Sequence, residues 1–130
     1  LNVHTKKEKK VIPYPISAVS PNGKEAISIN FSRLRATRDS YGYAGNGQES
    51  KIKKVYPKDD GLFLINLENG VAKLIVSLFD IKKYVPEIKE NSIAYFNHTL
   101  FSRKGSKIFW LSRAKPIGLN TTAFTVDRIG

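Results

Sequence analysis

Three closely spaced arginines, Arg33, Arg35 and Arg38 in the run RLRATR, are the residues of this chain best suited to holding an anion. A guanidinium fork meets a carboxylate or phosphate through two parallel hydrogen bonds. In an extended chain the two-residue spacing places Arg33 and Arg35 on one face, where they form a clamp for such a group. Solvated loop charge is the competing reading. Just beyond them, Tyr41 and Tyr43 flank Gly42 and offer rings that can stack on a sugar or simply anchor a long loop. Far along the chain, Asn97, His98 and Arg113 bracket the run NHTLFSRKGSKIFWLSR. His98 can ligate a metal ion or carry a proton, and a hydrogen-bonded structural role competes. With two histidines and no cysteine, the chain alone has too few ligands for a multi-histidine or thiolate zinc site, and it has no disulfide or cysteine nucleophile. Asp59-Asp60 and Glu87 with Glu90 supply paired acids, but their positions read as a turn and a helix surface. The glycines of GYAGNG lack the spacing and the strand-to-helix setting of a phosphate-binding loop.

These residues need elements to position them, and residues 97–113 read as two short strands joined by a tight turn. Residues 16–33, ISAVSPNGKEAISINFSR, echo that pattern at an offset of 82, which pairs Ser20 with Ser102, Gly23 with Gly105, Ile27 with Phe109 and Ile29 with Leu111. In both copies an apolar run reaches a serine, passes a glycine-containing turn and restarts beyond a lysine. Pro21-Asn22-Gly23 is a turn with a mechanism, since proline fixes φ and asparagine and glycine tolerate positive φ. The second strands of the two copies, 26–31 and 108–111, are rich in Ile, Phe and Trp, which suit a half-buried pleated surface.

The chain has 130 residues, 41% of them hydrophobic, enough for one domain with a real core. No apolar run approaches the roughly 18 residues of a membrane helix, so no membrane insertion is expected. There are 22 Lys and Arg against 11 Asp and Glu, a net charge of +11, so polyanions are attracted: nucleic acid, acidic polysaccharide or an anionic surface. Most of that charge is lysine spread along the chain, and much of it reads as solvated face.

Residues 1–15 read as an exposed hairpin turn with a short strand at 10–12, the end of a preceding unit or a frayed terminus. Residues 16–78 read as one full unit of four antiparallel strands, 16–19, 26–31, 62–67 and 72–78, with a long irregular loop at 32–58 carrying the arginines. Glu68-Asn69-Gly70 is a strong hairpin signal between the last two strands. Residues 79–93 read as a helical linker broken at Pro86, and 94–130 as three strands, 94–102, 107–112 and 121–129. Phe109 and Trp110 point to opposite faces of their strand, and both read as core.

A repeated four-stranded meander with SPNGK between its first strands and LENG between its last resembles a β-propeller blade of the TolB-like, WD-related class. The second copy departs from the pattern, with Arg103-Lys104 where Pro-Asp is usual. NHTLFSRKGSKIFWLSR is similar to a stretch of the oligogalacturonate-lyase-like propellers, in which Asn-His opens an inner strand. The resemblance implies an all-β fold of about two blades of an incomplete propeller. Two blades cannot close a ring, which implies further blades of a longer parent or self-association. It also implies a shared rim carrying Arg33, Arg35, Arg38, His98 and Arg113, and a periplasmic or extracellular setting. The implied function is a binding scaffold for an acidic carbohydrate or another anionic ligand. The catalytic alternative is part of a metal-dependent polysaccharide lyase, in which His98 helps hold a divalent metal that acidifies the proton beside a uronate carboxylate. The remaining metal ligands would then come from other blades. A basic β-domain binding nucleic acid through lysines and exposed aromatics is the third reading, disfavoured because the lysines are scattered.

Overall fold

A computed structural model of the chain describes residues 2–8, 10–45, 49–88, 91–115 and 121–128. Among these residues seven strands form two antiparallel sheets and no closed barrel. The first sheet is a meander of β1 (Ala18–Val19), β2 (Glu25–Ser28), β3 (Gly61–Asn66) and β4 (Ala72–Ser77), in that order. The second is β5 (Ile93–Phe101), β6 (Lys107–Lys115) and β7 (Thr121–Asp127). The fold is all-β; among the described residues it has one short helix, α1 (Phe31–Thr37), and 3₁₀ turns at Glu49–Lys53 and Lys82–Tyr84, all in connections between strands. Among the described residues no helix is long and apolar enough to cross a membrane.

The two copies of the sequence pattern fold alike. In the first turn Ser20 N–H donates to the Glu25 carbonyl, Gly23 N–H to the Ser20 carbonyl, and Glu25 N–H to Ser20 Oγ. In the second, Ser102, Gly105 and Lys107 make the same three bonds. Gly23 and Gly105 both take positive φ, 69° and 71°, so the turn requires a residue without a Cβ penalty at that place. The pairing register repeats as well: Ala18 opposite Ile27 and Val19 opposite Ala26 correspond to Leu100 opposite Phe109 and Phe101 opposite Ile108. The sheets also meet at equivalent positions, where the Ser17 and Thr99 hydroxyls, 82 residues apart, lie 2.5 Å from one another.

The core lies between the sheets. From the first it takes Ile27 and Leu62, from the second Ala94, Tyr95, Phe96, Ile108 and Trp110, and it is closed by Ile29, Leu34, Leu78 and Ile81 from the connections. Trp110 stacks on Phe124 at 5.5 Å and tilts against Phe96 at 5.7 Å. Phe109 faces the other way and is only half-buried, so the expectation that both aromatics belong to the core holds for Trp110 alone. The far face of the first sheet is covered by the chain's own residues 10–15: Tyr14 packs on Phe63 at 6.0 Å, and Lys10 Nζ donates to the Glu68 carbonyl.

Other expectations are corrected. No strand forms at 10–12, although a turn does close over 2–7 through the Asn2 and Lys6 amides. The second strand stops at Ser28 rather than continuing to 31, because the Asn30 side chain accepts from the Arg33 amide and caps α1. Among the described residues of the expected helical linker, helix is limited to one 3₁₀ turn, Lys82–Tyr84, ahead of Pro86. Asn97 and His98 do not open a strand but sit in the middle of β5, at a bulge where the pairing slips between Asn97 and Leu100. The connection through Pro116 and the end of the last predicted strand lie outside the described residues.

Candidate functional site

In an antiparallel meander successive connections alternate between the two ends of the sheet. The glycine turns therefore share one end, where Pro21 also touches the second turn beside Gly105. The long connection from β2 to β3 and the connection from β4 to β5 share the other, the loop end.

At the loop end the three arginines part company, because RLRATR lies on a helix and on the turn that follows it. Residues two apart on a helix do not share a face. Arg33 points inward and is 1% exposed, whereas Arg35 is exposed. The expected clamp of Arg33 and Arg35 does not form. Arg33 instead spends its fork inside the protein: Nε donates to Asp60 Oδ2 at 3.0 Å, Nη1 to the Ala94 carbonyl at 3.0 Å, and Nη2 to the Lys51 and Lys54 carbonyls at 2.5 and 2.9 Å. Asp60 is fully buried and also accepts from Asn30 Nδ2 at 2.8 Å. Burial lowers the pKa of the Arg33 guanidinium from its ordinary value, and Asp60 pulls it back up. One side chain thus joins α1, the lysine-rich loop, the first sheet and the start of β5.

Arg38 closes α1, and its guanidinium lies 5.6 Å from the centre of the exposed Tyr41 ring while its Nε is buried without a hydrogen-bond partner. Tyr43 sets its ring edge-on to Phe31 at 5.3 Å and remains about half exposed. Gly42 between them is tightly held, since a Cβ there would lie 2.3 Å from the Phe31 carbonyl oxygen. Gly42 also lies against the Arg35 amide, so Arg35, Arg38, Tyr41 and Tyr43 are carried close together on the backbone of the loop end, with Arg38 over Tyr41 and Tyr43 against Phe31.

Arg113 lies opposite Tyr95, one residue from the Ala94 carbonyl that Arg33 holds, and its Nε is buried without a partner. Asn97 is two positions further along β5 on the same face, with its Oδ1 also unpartnered. His98 is exposed, adopts φ 51° in the bulge, and stands four residues beyond Ala94, about 13 Å along the strand. It does not join the arginine group. Among the described residues no group of three or more His, Asp or Glu could hold a metal ion, so a metal at His98 would need ligands from outside them.

A second cluster at this end was not legible as a unit in the sequence. Lys58 lies over the Phe79 ring at 4.6 Å, Lys83 over Tyr84 at 4.7 Å and Lys82 near Tyr56 at 6.0 Å. Phe79, Asp80, Lys82 and Lys83 line a shallow groove of about 470 Å³. Asp80 is fixed by Ser77: its carboxylate accepts from the Ser77 amide at 2.8 Å, and its own amide donates to Ser77 Oγ at 3.0 Å. The bonds from Ser77 hold the Asp80 carboxyl below the usual value. A depressed acid contributes stability that is complete above its unfolded pKa of about 4 and lost as pH falls through the lower folded value. Asp80→Asn is therefore expected to lower the urea midpoint at pH 7, and the gap from the unaltered protein should narrow as the pH falls below the usual carboxylate range. A gap unchanged across that range would show that the ionised carboxylate contributes nothing.

Residues 1–89, more than half of the chain, match the model of an uncharacterised protein family. No curated protein and no solved structure matches the chain.

Proposed function

The chain belongs to that uncharacterised family, and on this premise we propose that it is a binding scaffold: a pair of propeller-blade-like sheets that holds an anionic oligosaccharide at its loop end. The repeated turn, register and inter-sheet contact support the blade-like part of the reading. The observation that carries the ligand class is the pairing of Arg38 with the exposed Tyr41 ring, on a connection where Arg35 and Tyr43 are also open to solvent. A sugar acid needs that combination of a ring face to stack on and a cation to meet its carboxylate. Arg33 has no part in it, since its donors are engaged within the protein.

The test is titration of polygalacturonate and heparin against Arg35→Ala/Arg38→Ala, compared with Arg103→Ala/Lys104→Ala, which removes the same charge from the opposite end. The loop-end pair is expected to weaken binding about tenfold, as the loss of a charge-assisted hydrogen bond would, and the turn-end pair less than twofold. Equal losses, or equal affinity for single-stranded DNA with a steep salt dependence, would mean that only the net charge of +11 is being read.

A further inference from the structure

We propose that the groove at the turn after β4 is a nucleotide site, in which the Phe79 ring takes the face of a base, Lys82 and Lys83 meet the phosphates, and the Asp80 carboxylate accepts from an amino group on the base. The inference is independent of the oligosaccharide reading, since it shares no residue with the group around Arg38. The groove has a volume of about 470 Å³ and is lined by Phe79, Asp80, Lys82 and Lys83, a size within the ordinary range of small-molecule sites. Phe79 is 45% exposed at its edge. The cations around it lack counter-charges: among the described residues the ion pairs use Arg33, Lys51, Lys107 and Arg128, and none involves Lys58, Lys82 or Lys83. Asp80 pairs with none of them either. One of its carboxylate oxygens accepts from the Ser77 amide, and the other makes no hydrogen bond among the described residues.

Each kind of group asks something different of a ligand. A ring face suits a flat, polarisable partner. Ammonium groups are compact point charges that suit a phosphate, whereas the arginine fork is matched to a carboxylate. The Asp80 carboxylate repels phosphate and needs a donor, so it turns the ligand with its phosphates toward the lysines. A nucleotide with an exocyclic amine, as on adenine or cytosine, supplies all three. Lys58 lies over the Phe79 ring at 4.6 Å without lining the groove, so it takes the ring from outside and leaves the groove side to the base. The backbone beneath is set before a ligand arrives: the Phe79 amide donates to the carbonyl of the buried Pro57 at 3.2 Å, the Lys82 amide to the Phe79 carbonyl at 3.2 Å, and the Tyr84 amide to the Ile81 carbonyl at 2.9 Å. Binding then has little backbone to order. A membrane contact instead needs apolar groups that reach into the headgroup layer, which a recess between Phe79 and the lysines does not provide.

Isothermal titration of the full chain with adenosine diphosphate tests this, beside pyrophosphate, adenosine and inosine diphosphate, which carries a carbonyl where adenine has its amine. Adenosine diphosphate should bind at least about tenfold more tightly than pyrophosphate or adenosine, because each of those keeps only half of the contacts. Phe79→Ala changes no charge, and it should weaken adenosine diphosphate about tenfold, as the loss of one stacked base would, while leaving pyrophosphate unchanged. Lys82→Ala/Lys83→Ala, at exposed positions, should weaken both. Inosine diphosphate should bind about tenfold less tightly than adenosine diphosphate, the loss of a hydrogen bond to a charged group. Pyrophosphate bound as tightly as adenosine diphosphate overturns the proposal, as do indifference to Phe79→Ala, equal binding of the two diphosphates, and no binding of adenosine diphosphate at about 1 mM. Phosphatidylserine vesicles held by the unaltered protein and released by Phe79→Ala, with adenosine diphosphate unbound, would overturn it in favour of a membrane contact. Arg35→Ala/Arg38→Ala should leave the affinity for adenosine diphosphate within twofold, and Phe79→Ala that for polygalacturonate, so failure of the oligosaccharide reading and failure of this one are told apart.

Discussion

Arg33→Met should destabilise the protein by about 3–5 kcal/mol in urea unfolding, the cost of leaving one partner of a buried ion pair uncompensated. The Asp60 carboxylate would remain fully buried with the Asn30 amide as its remaining side-chain donor, and its Oδ1 is unpartnered even with Arg33 in place. Three backbone carbonyls, those of Lys51, Lys54 and Ala94, would also lose a donor. For this reason the double change Arg33→Met/Asp60→Leu should recover only part of the loss: it removes the stranded charge but leaves the carbonyls unpaired. Arg33→Lys should fall between, because an ammonium can reach Asp60 but cannot span four acceptors in three directions. The change should also be felt locally. Lys51, Lys53 and Lys54 lie in the loop that Arg33 pins, so limited trypsin digestion under native conditions should cut there faster in Arg33→Met. If Arg33→Met unfolds like the unaltered protein and its loop resists trypsin equally, Arg33 is not the joint between the two sheets.

The parts of the fold written in the sequence are those with local causes. Strand alternation, the SPNGK and LENG turns and the offset of 82 are carried by residue types whose backbone preferences act within a few residues, and they gave the antiparallel meanders and the repeated turn. The helix α1 was not legible because its seven residues carry only Phe31 and Leu34 at helical spacing, and so short a helix has little stability of its own. What holds it is tertiary: the Asn30 cap and the Arg33 fork reaching partners up to 61 residues away. Asp60 was read as a turn residue because Asp59-Asp60-Gly61 has turn chemistry, and nothing local tells which of two adjacent aspartates will be buried. The same limit applies to the candidate site. Arg35, Arg38, Tyr41 and Tyr43 could be picked out by type, but whether Arg33 belonged with them depended on the helix. His98 sits in a bulge with positive φ, a backbone state that histidine does not announce.

Trp110→Ala is expected to cost about 3–5 kcal/mol, the usual range for deleting a buried large aromatic, while Phe109→Ala in the monomer should cost about 1 kcal/mol or less. The two residues are adjacent, aromatic and on the same strand, so propensity and composition treat them alike and only the facing of β6 separates them. Trp110 is 2% exposed between Phe96 and Phe124, in the cluster that holds the sheets together. Phe109 lies on the outer face with Leu100 and Leu111. The indole Nε1 is buried without a partner, so Trp110→Phe should be milder than Trp110→Ala: it keeps most of the ring contact and removes an unsatisfied donor. Urea midpoints of the three variants check all of this together. A Phe109→Ala loss as large as that of Trp110→Ala would mean that the outer face is packed within a single chain.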